Sequence, residues 1–205
     1  MVILMLNQKN KGLYNAEFEI IQSNNIIGKA FIEGKMGTME AIIKGEVYNK
    51  AFKLNHANKI LPGKSTKFRP YNIFEGEDSV GEIFQTEHKR NIFSKYEYTK
   101  SIYAGKEYEC YPVGIGNKIV FLVYNENKQI AQIEKDLTIY NDLHNYKIYS
   151  INDTFITVLM CLYGYINSSY KPGEKEIKSV LKGYSKTFNK ELLAKYNPNW
   201  INENA

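Results

Sequence analysis

The sequence predicts a mainly β protein with one buried apolar helix near its C-terminus. Three observations carry this reading. Short runs with period-two alternation recur as far as residue 151, separated by Gly, Asn and Asp. No amphipathic helix falls between them, which favours a sandwich or barrel over βαβ units with a parallel sheet. Residues 154–170 then form a stretch without a single charged side chain.

The apolar start, residues 1–6, lacks a basic segment and a small-residue cleavage site, and reads as a first strand rather than a signal peptide. Residues 13–21 put Tyr14, Ala16, Phe18 and Ile20 on one face and Asn15, Glu17 and Glu19 on the other, one buried and one wet. After Ser23-Asn24-Asn25 a strand spans 26–33, and Glu33-Gly34-Lys35 marks the next hairpin. Residues 38–44 carry Met39, Ala41 and Ile43 on one face. Gly45 then precedes a strand at 46–55 in which Tyr48, Phe52 and Leu54 share a face. Residues 56–67, with Pro62-Gly63, read as a long loop. Further strands are expected at 68–75, 80–86, 91–98, 107–113, 117–124, 129–135, 137–140 and 145–151. Ala104-Gly105, Gly114-Ile115-Gly116 and Asn125-Glu126-Asn127 supply turns between them.

For the apolar stretch, Asn152 or Asp153 offers an N-cap and Pro172-Gly173 a stop. A helix that is apolar all round is a membrane span or the centre of a large core. This one is short against the roughly 20 residues a span needs. It also carries Thr154, Thr157, Gly164, Asn167 and two serines. The expectation is a buried helix with Leu159, Met160, Leu162 and Ile166 inaccessible, and no transmembrane segment. The chain thus divides into a β-domain with its helix (1–170, the helix at about 152–170) and a tail (171–205). In the tail Ile177, Val180, Leu181, Tyr184 and Phe188 recur at helical spacing. They predict an amphipathic helical tail that covers the outside of the β-domain; a membrane-surface or partner helix is the sharper reading.

Composition agrees. A chain of 205 residues with 43% hydrophobic and 24% charged residues can bury a core and is not disordered. Its 17 Tyr and 10 Phe suit a pleated, half-buried surface. The net charge is +5, and of 27 basic residues only Arg69 and Arg90 are Arg. Specific nucleic-acid readout leans on bidentate Arg, so this composition argues against it. Cys110 and Cys161 read as small buried hydrophobes rather than a disulfide framework, with a reducing, cytoplasmic location as the default, peripheral at the membrane if the basic surface is used.

The chain has no P-loop, G-x-S-x-G, H-E-x-x-H, C-x-x-C or EF-hand pattern. His56, His88 and His144 sit in separate segments without metal-ligand spacing. Catalytic residues, metal and cofactor are therefore expected to be none. The pairs Glu17/Glu19 and Glu107/Glu109 share strand faces that read as solvated. One basic constellation stands out: Lys64, Lys67 and Arg69 at the end of the long loop, and His88, Lys89 and Arg90 at a hairpin. If brought together they would hold a phosphate or another anion.

Gly81-Glu82-Ile83, Lys118-Ile119-Val120-Phe121, Gln129-Ile130-Ala131-Gln132-Ile133 and the apolar helix at 154–170, taken in order, resemble the tubby C-terminal-like fold. Tubby-like proteins, LURP-one-related proteins and phospholipid scramblases share it. The resemblance covers residues 13–170 and implies a closed antiparallel barrel of about twelve strands around a central apolar C-terminal helix. A wide barrel needs an apolar filling, and the helix supplies one. No scramblase calcium segment, palmitoylation cluster or aligned headgroup motif accompanies it, so only the fold is carried over. The leading expectation is a non-enzymatic binding or scaffold protein that recognises an anionic ligand, such as a lipid headgroup, through the basic loops. The alternative is a protein-interaction module acting through the basic tail. The third is an enzyme whose site is assembled from distant parts of the chain.

Overall fold

The computed structural model describes residues 1–12, 15–34, 41–57, 70–89, 95–115, 118–135, 143–167 and 189–205. Among them twelve strands run in chain order around one closed barrel. They are β1 (Val2–Lys11), β2 (Asn15–Gln22), β3 (Asn25–Gly34), β4 (Ala41–Val47), β5 (Lys50–His56) and β6 (Tyr71–Glu75), followed by β7 (Asp78–Lys89), β8 (Lys95–Tyr103), β9 (Lys106–Ile115), β10 (Lys118–Asn125), β11 (Lys128–Lys135) and β12 (Asn145–Ser150). Each strand pairs antiparallel with its neighbour in the chain, and β1 closes the ring on β12, with Val2 opposite Ser150 and Asn7 opposite Asn145. Closure leaves no unpaired edge among the described strands.

The alternation read from the sequence decides which side chains enter. On β2, Ala16, Phe18 and Ile20 are buried while Glu17 and Glu19 face out. Ile43, Leu54, Ile73 and Ile83 fill the same interior from β4 to β7. Outside, Glu19 meets Lys9 at 3.3 Å and Glu33 meets Lys44 at 2.6 Å. Such exposed pairs add little stability. Their placement matters more: a charged outer face with an apolar inside reverses the pattern of a membrane-spanning barrel.

The helix α1 (Thr154–Asn167) follows the last strand. Every residue from Ile156 to Tyr163 is buried, so no face of it is wet. It touches β4, β8 and the neighbouring pair β11 and β12, three separate parts of the ring. The helix therefore fills the barrel. Leu159, Met160 and Leu162 are at most 1% exposed, as expected. Ile166 is only partly buried, a correction to the sequence reading, because it lies in the last turn where the packing thins out. At the first turn Asp153 leads in with φ 51, and its carbonyl accepts from the Thr157 amide. Phe155 closes that end against Phe52 and Tyr103.

Turn chemistry explains the hairpins. Ser23-Asn24 and Ala104-Gly105 both have two successive residues at positive φ, the primed turn that matches strand twist. The expected strand at 46–55 is wrong: Tyr48-Asn49 is a turn of the same kind, φ 53 and 61, and splits it into the end of β4 and β5. Tyr48 is consequently exposed instead of sharing the face of Phe52 and Leu54. The expected break at 114–116 is also displaced, since Gly114 and Ile115 belong to β9 and Ile115 pairs with Lys118. β7 and β8 reach beyond their predicted ends. The expected strand at 137–140 lies outside the described residues.

Gly45 is mid-strand, not a break. A Cβ built on it would collide with the Lys29 carbonyl oxygen, and one on Gly28 with that of Glu46. These glycines let β3 and β4 approach closely. Gly45→Ala is expected to lower stability by about 1–3 kcal/mol, the usual cost of overpacking. The check is a lower urea midpoint at unchanged slope; an unaltered midpoint would mean that the two strands separate freely.

Residues 189–205 return to the outside of the barrel. Asn189 caps α2 (Lys190–Leu193) by accepting from the Leu192 amide at 3.0 Å. Leu192 packs with Tyr111, Val113, Val120 and Leu122, the outward residues of β9 and β10. The Lys195 ammonium stands 4.0 Å from the centre of the Tyr111 ring, and the Tyr124 hydroxyl donates to the Lys195 carbonyl. A last turn, α3 (Trp200–Glu203), buries Trp200. The predicted stripe from Ile177 to Phe188 lies outside the described residues.

Candidate functional site

The basic constellation is only partly placed. Lys64, Lys67, Arg69 and Arg90 lie outside the described residues. His88 and Lys89 are the last residues of β7 rather than a turn. His88 faces outward, stacks on Tyr96 at 5.0 Å and lies 3.6 Å from Glu191. It thus helps to hold the C-terminal segment. Lys89 is exposed and paired in register with Lys95.

A different feature emerges inside the barrel. Where the C-terminal half of α1 faces β7 to β12, a cavity of about 260 Å³ remains. Its cause is the size of the facing side chains. Cys110 and Pro112 on β9 look across at Met160, Cys161 and Gly164 on α1, with Ile119, Phe121 and Ile133 completing an apolar wall. A Cβ placed on Gly164 would find no atom within 4 Å, so the missing side chain leaves open space. Elsewhere in the barrel large rings take up the room: Phe18 against Tyr165, and Tyr71 against Tyr163.

Polar groups stand at two sides of this space. On β7 and β8, Gln85, Glu97 and Thr99 line it, and Gln85 Nε2 donates to Glu97 Oε2 at 2.8 Å. Just beyond, Lys95 is bound to Glu87 at 2.9 Å. On β11 and β12, Lys135 and Tyr146 are directly opposite in register. Tyr146 is buried and lines the cavity, so Lys135, on the same face, also points inward. The Lys135 ammonium is 6.0 Å from the centre of the Tyr146 ring. It has no carboxylate partner among the described residues. The Tyr146 hydroxyl is sealed from solvent without a hydrogen-bond partner among them. Burial pushes its pKa well above the ordinary tyrosine value.

Nearby, ordinary alternation along β1 puts Gln8 on the same inward face as Leu4 and Leu6, just before a bulge between Gln8 and Asn10. There Gln8 donates to the Tyr165 hydroxyl at 3.2 Å and accepts from the His144 amide at 2.9 Å. These bonds fix the end of α1 that borders the cavity. The two cysteines are free and buried, both on the cavity wall.

Among the described residues no group of His, Cys, Asp or Glu is arranged to hold a metal ion, and no helix is long and apolar enough to cross a membrane. The chain matches no family model, no curated protein and no solved structure. The sequence reading missed the cavity. Its one available signal was Gly164 in an otherwise apolar helix, together with a charge at the inward end of the run Ala131, Ile133, Lys135.

Proposed function

We propose that this is a non-enzymatic binding protein and that its ligand site is the cavity between α1 and strands β7 to β12. One observation carries the reading: a mostly apolar space of about 260 Å³ lies between α1 and the strands, with a few polar groups at its edge. That is the composition of a small-ligand site. We also infer kinship with the tubby C-terminal-like proteins. The closed twelve-strand antiparallel ring and the apolar helix after its last strand support this.

The test uses 1-decanol, a neutral probe with an apolar chain, and Gly164→Phe, whose ring would occupy the space. At ten times its Kd a ligand adds about 1.4 kcal/mol. For a chain of this size that raises the melting temperature by about 3–6 °C. The wild type is expected to show the shift, and Gly164→Phe to melt cooperatively without it. An equal shift in both proteins, or none in the wild type, would remove the cavity as the ligand site.

A further inference from the structure

We propose that the cavity binds a monocarboxylate with an unbranched apolar chain, the chain lying against Phe121, Ile133, Met160 and Gly164 and the carboxylate meeting the Lys135 ammonium. This rests on the cavity being the ligand site, and it adds the chemical class of the ligand.

Size sets the chain. An engineered cavity of about 150 Å³ holds benzene, and a water takes roughly 30 Å³ of liquid. On that scale the space here suits about eight to ten heavy atoms in a row.

Charge sets the head. Among the described residues, Glu97 lines the space from β8, Glu87 and Lys95 pair just beyond it, and Lys135 points inward beside Tyr146, which lines another side. Glu97 is held by Gln85, and Glu87 by Lys95. Lys135 faces inward with only the Tyr146 ring beside it among the described residues. Gln85 is neutral and leaves Glu97 its charge, so the two sides of the space differ in sign: the positive side is that of Lys135 beside Tyr146, and an acid head belongs there, away from Glu97. A single ammonium is a point charge for one acid group and offers no fork for a bidentate phosphate. Burial lowers the Lys135 pKa, which marks its ammonium as short of solvation. A carboxylate at that place restores the lost solvation with a charge-assisted bond.

The experiment compares decanoate, 1-decanol and decyltrimethylammonium by calorimetry at pH 7.5, below their micelle concentrations, on wild type and Lys135→Met. Wild type is expected to bind decanoate about tenfold or more tighter than decanol, the worth of one charged hydrogen bond. The cationic probe should bind more weakly than either. Lys135→Met should bind decanoate no better than decanol and leave decanol unchanged, which also reports that the variant is folded. If wild type binds decanol as well as decanoate, or if Lys135→Met keeps the preference, the carboxylate assignment is wrong while the cavity stands. Tighter binding of the cationic probe would move the head to Glu97. If no probe binds and Gly164→Phe behaves as wild type, the cavity reading falls and this one with it.

Discussion

Leu162→Asp is expected to abolish folding. Leu162 is 1% exposed in α1, on a helix whose neighbours from Ile156 to Tyr163 are all buried. Shortening such a leucine to alanine already costs about 2–5 kcal/mol in lost transfer energy and cavity. An aspartate adds the burial of a carboxyl with no partner, worth several kcal/mol more even after it takes up a proton. Together these approach the whole stability of an ordinary domain, about 5–15 kcal/mol. The variant should show no cooperative thermal transition. Leu162→Ala should fold with a clearly lower midpoint, and Leu162→Met should lose less than about 1.5 kcal/mol because volume is kept. A Leu162→Asp protein melting within a few degrees of wild type would mean that α1 does not occupy the barrel.

That helix was readable because its signal is local. A charge-free run capped by a polar turn and too short to span a bilayer leaves the interior as its place. The strands were readable for the same reason: Ala16, Phe18 and Ile20 against Glu17 and Glu19 is a pattern within eight residues. What failed involved the backbone. Gly45 looks like a break and is a close approach of two strands, while Tyr48-Asn49 looks like strand and is a turn, because Asn tolerates positive φ and Tyr is carried with it. The cavity was illegible for a deeper reason. It arises from small residues on β9 and α1, Cys110, Pro112, Cys161 and Gly164, that only closure of the ring brings face to face. Lys135 becomes meaningful once register puts it opposite Tyr146. The surroundings of His88 were equally out of reach, since it stacks on Tyr96 and lies beside Glu191, a residue far along the chain.

The two cavity thiols are expected to make the protein sensitive to alkali. Burial pushes Cys110 up from 9.0 to about 12. Cys161 is pushed up too, first by burial and then by Cys110 beside it, with Lys135 pulling the other way. The folded chain thus keeps protons that the unfolded chain releases from about pH 8.5 upward. Fewer protons on the unfolded side mean that stability falls as pH rises, and the full contribution is present only below that value. Each thiol withdraws about 1.4 kcal/mol per pH unit until it ionises in the fold. Between pH 9 and 11 the pair should remove on the order of 5 kcal/mol, comparable with the total for many domains. Tyr165, raised by burial to about 12, extends the loss above pH 10. Urea midpoints at pH 7, 9 and 10.5 measure the slope. In the Cys110→Ala, Cys161→Ala double variant the slope should match wild type near pH 7 and be shallower by about two protons toward pH 10.5. An identical slope in both proteins would show that the thiols ionise normally in the native state, and so that water reaches the cavity wall on which they sit.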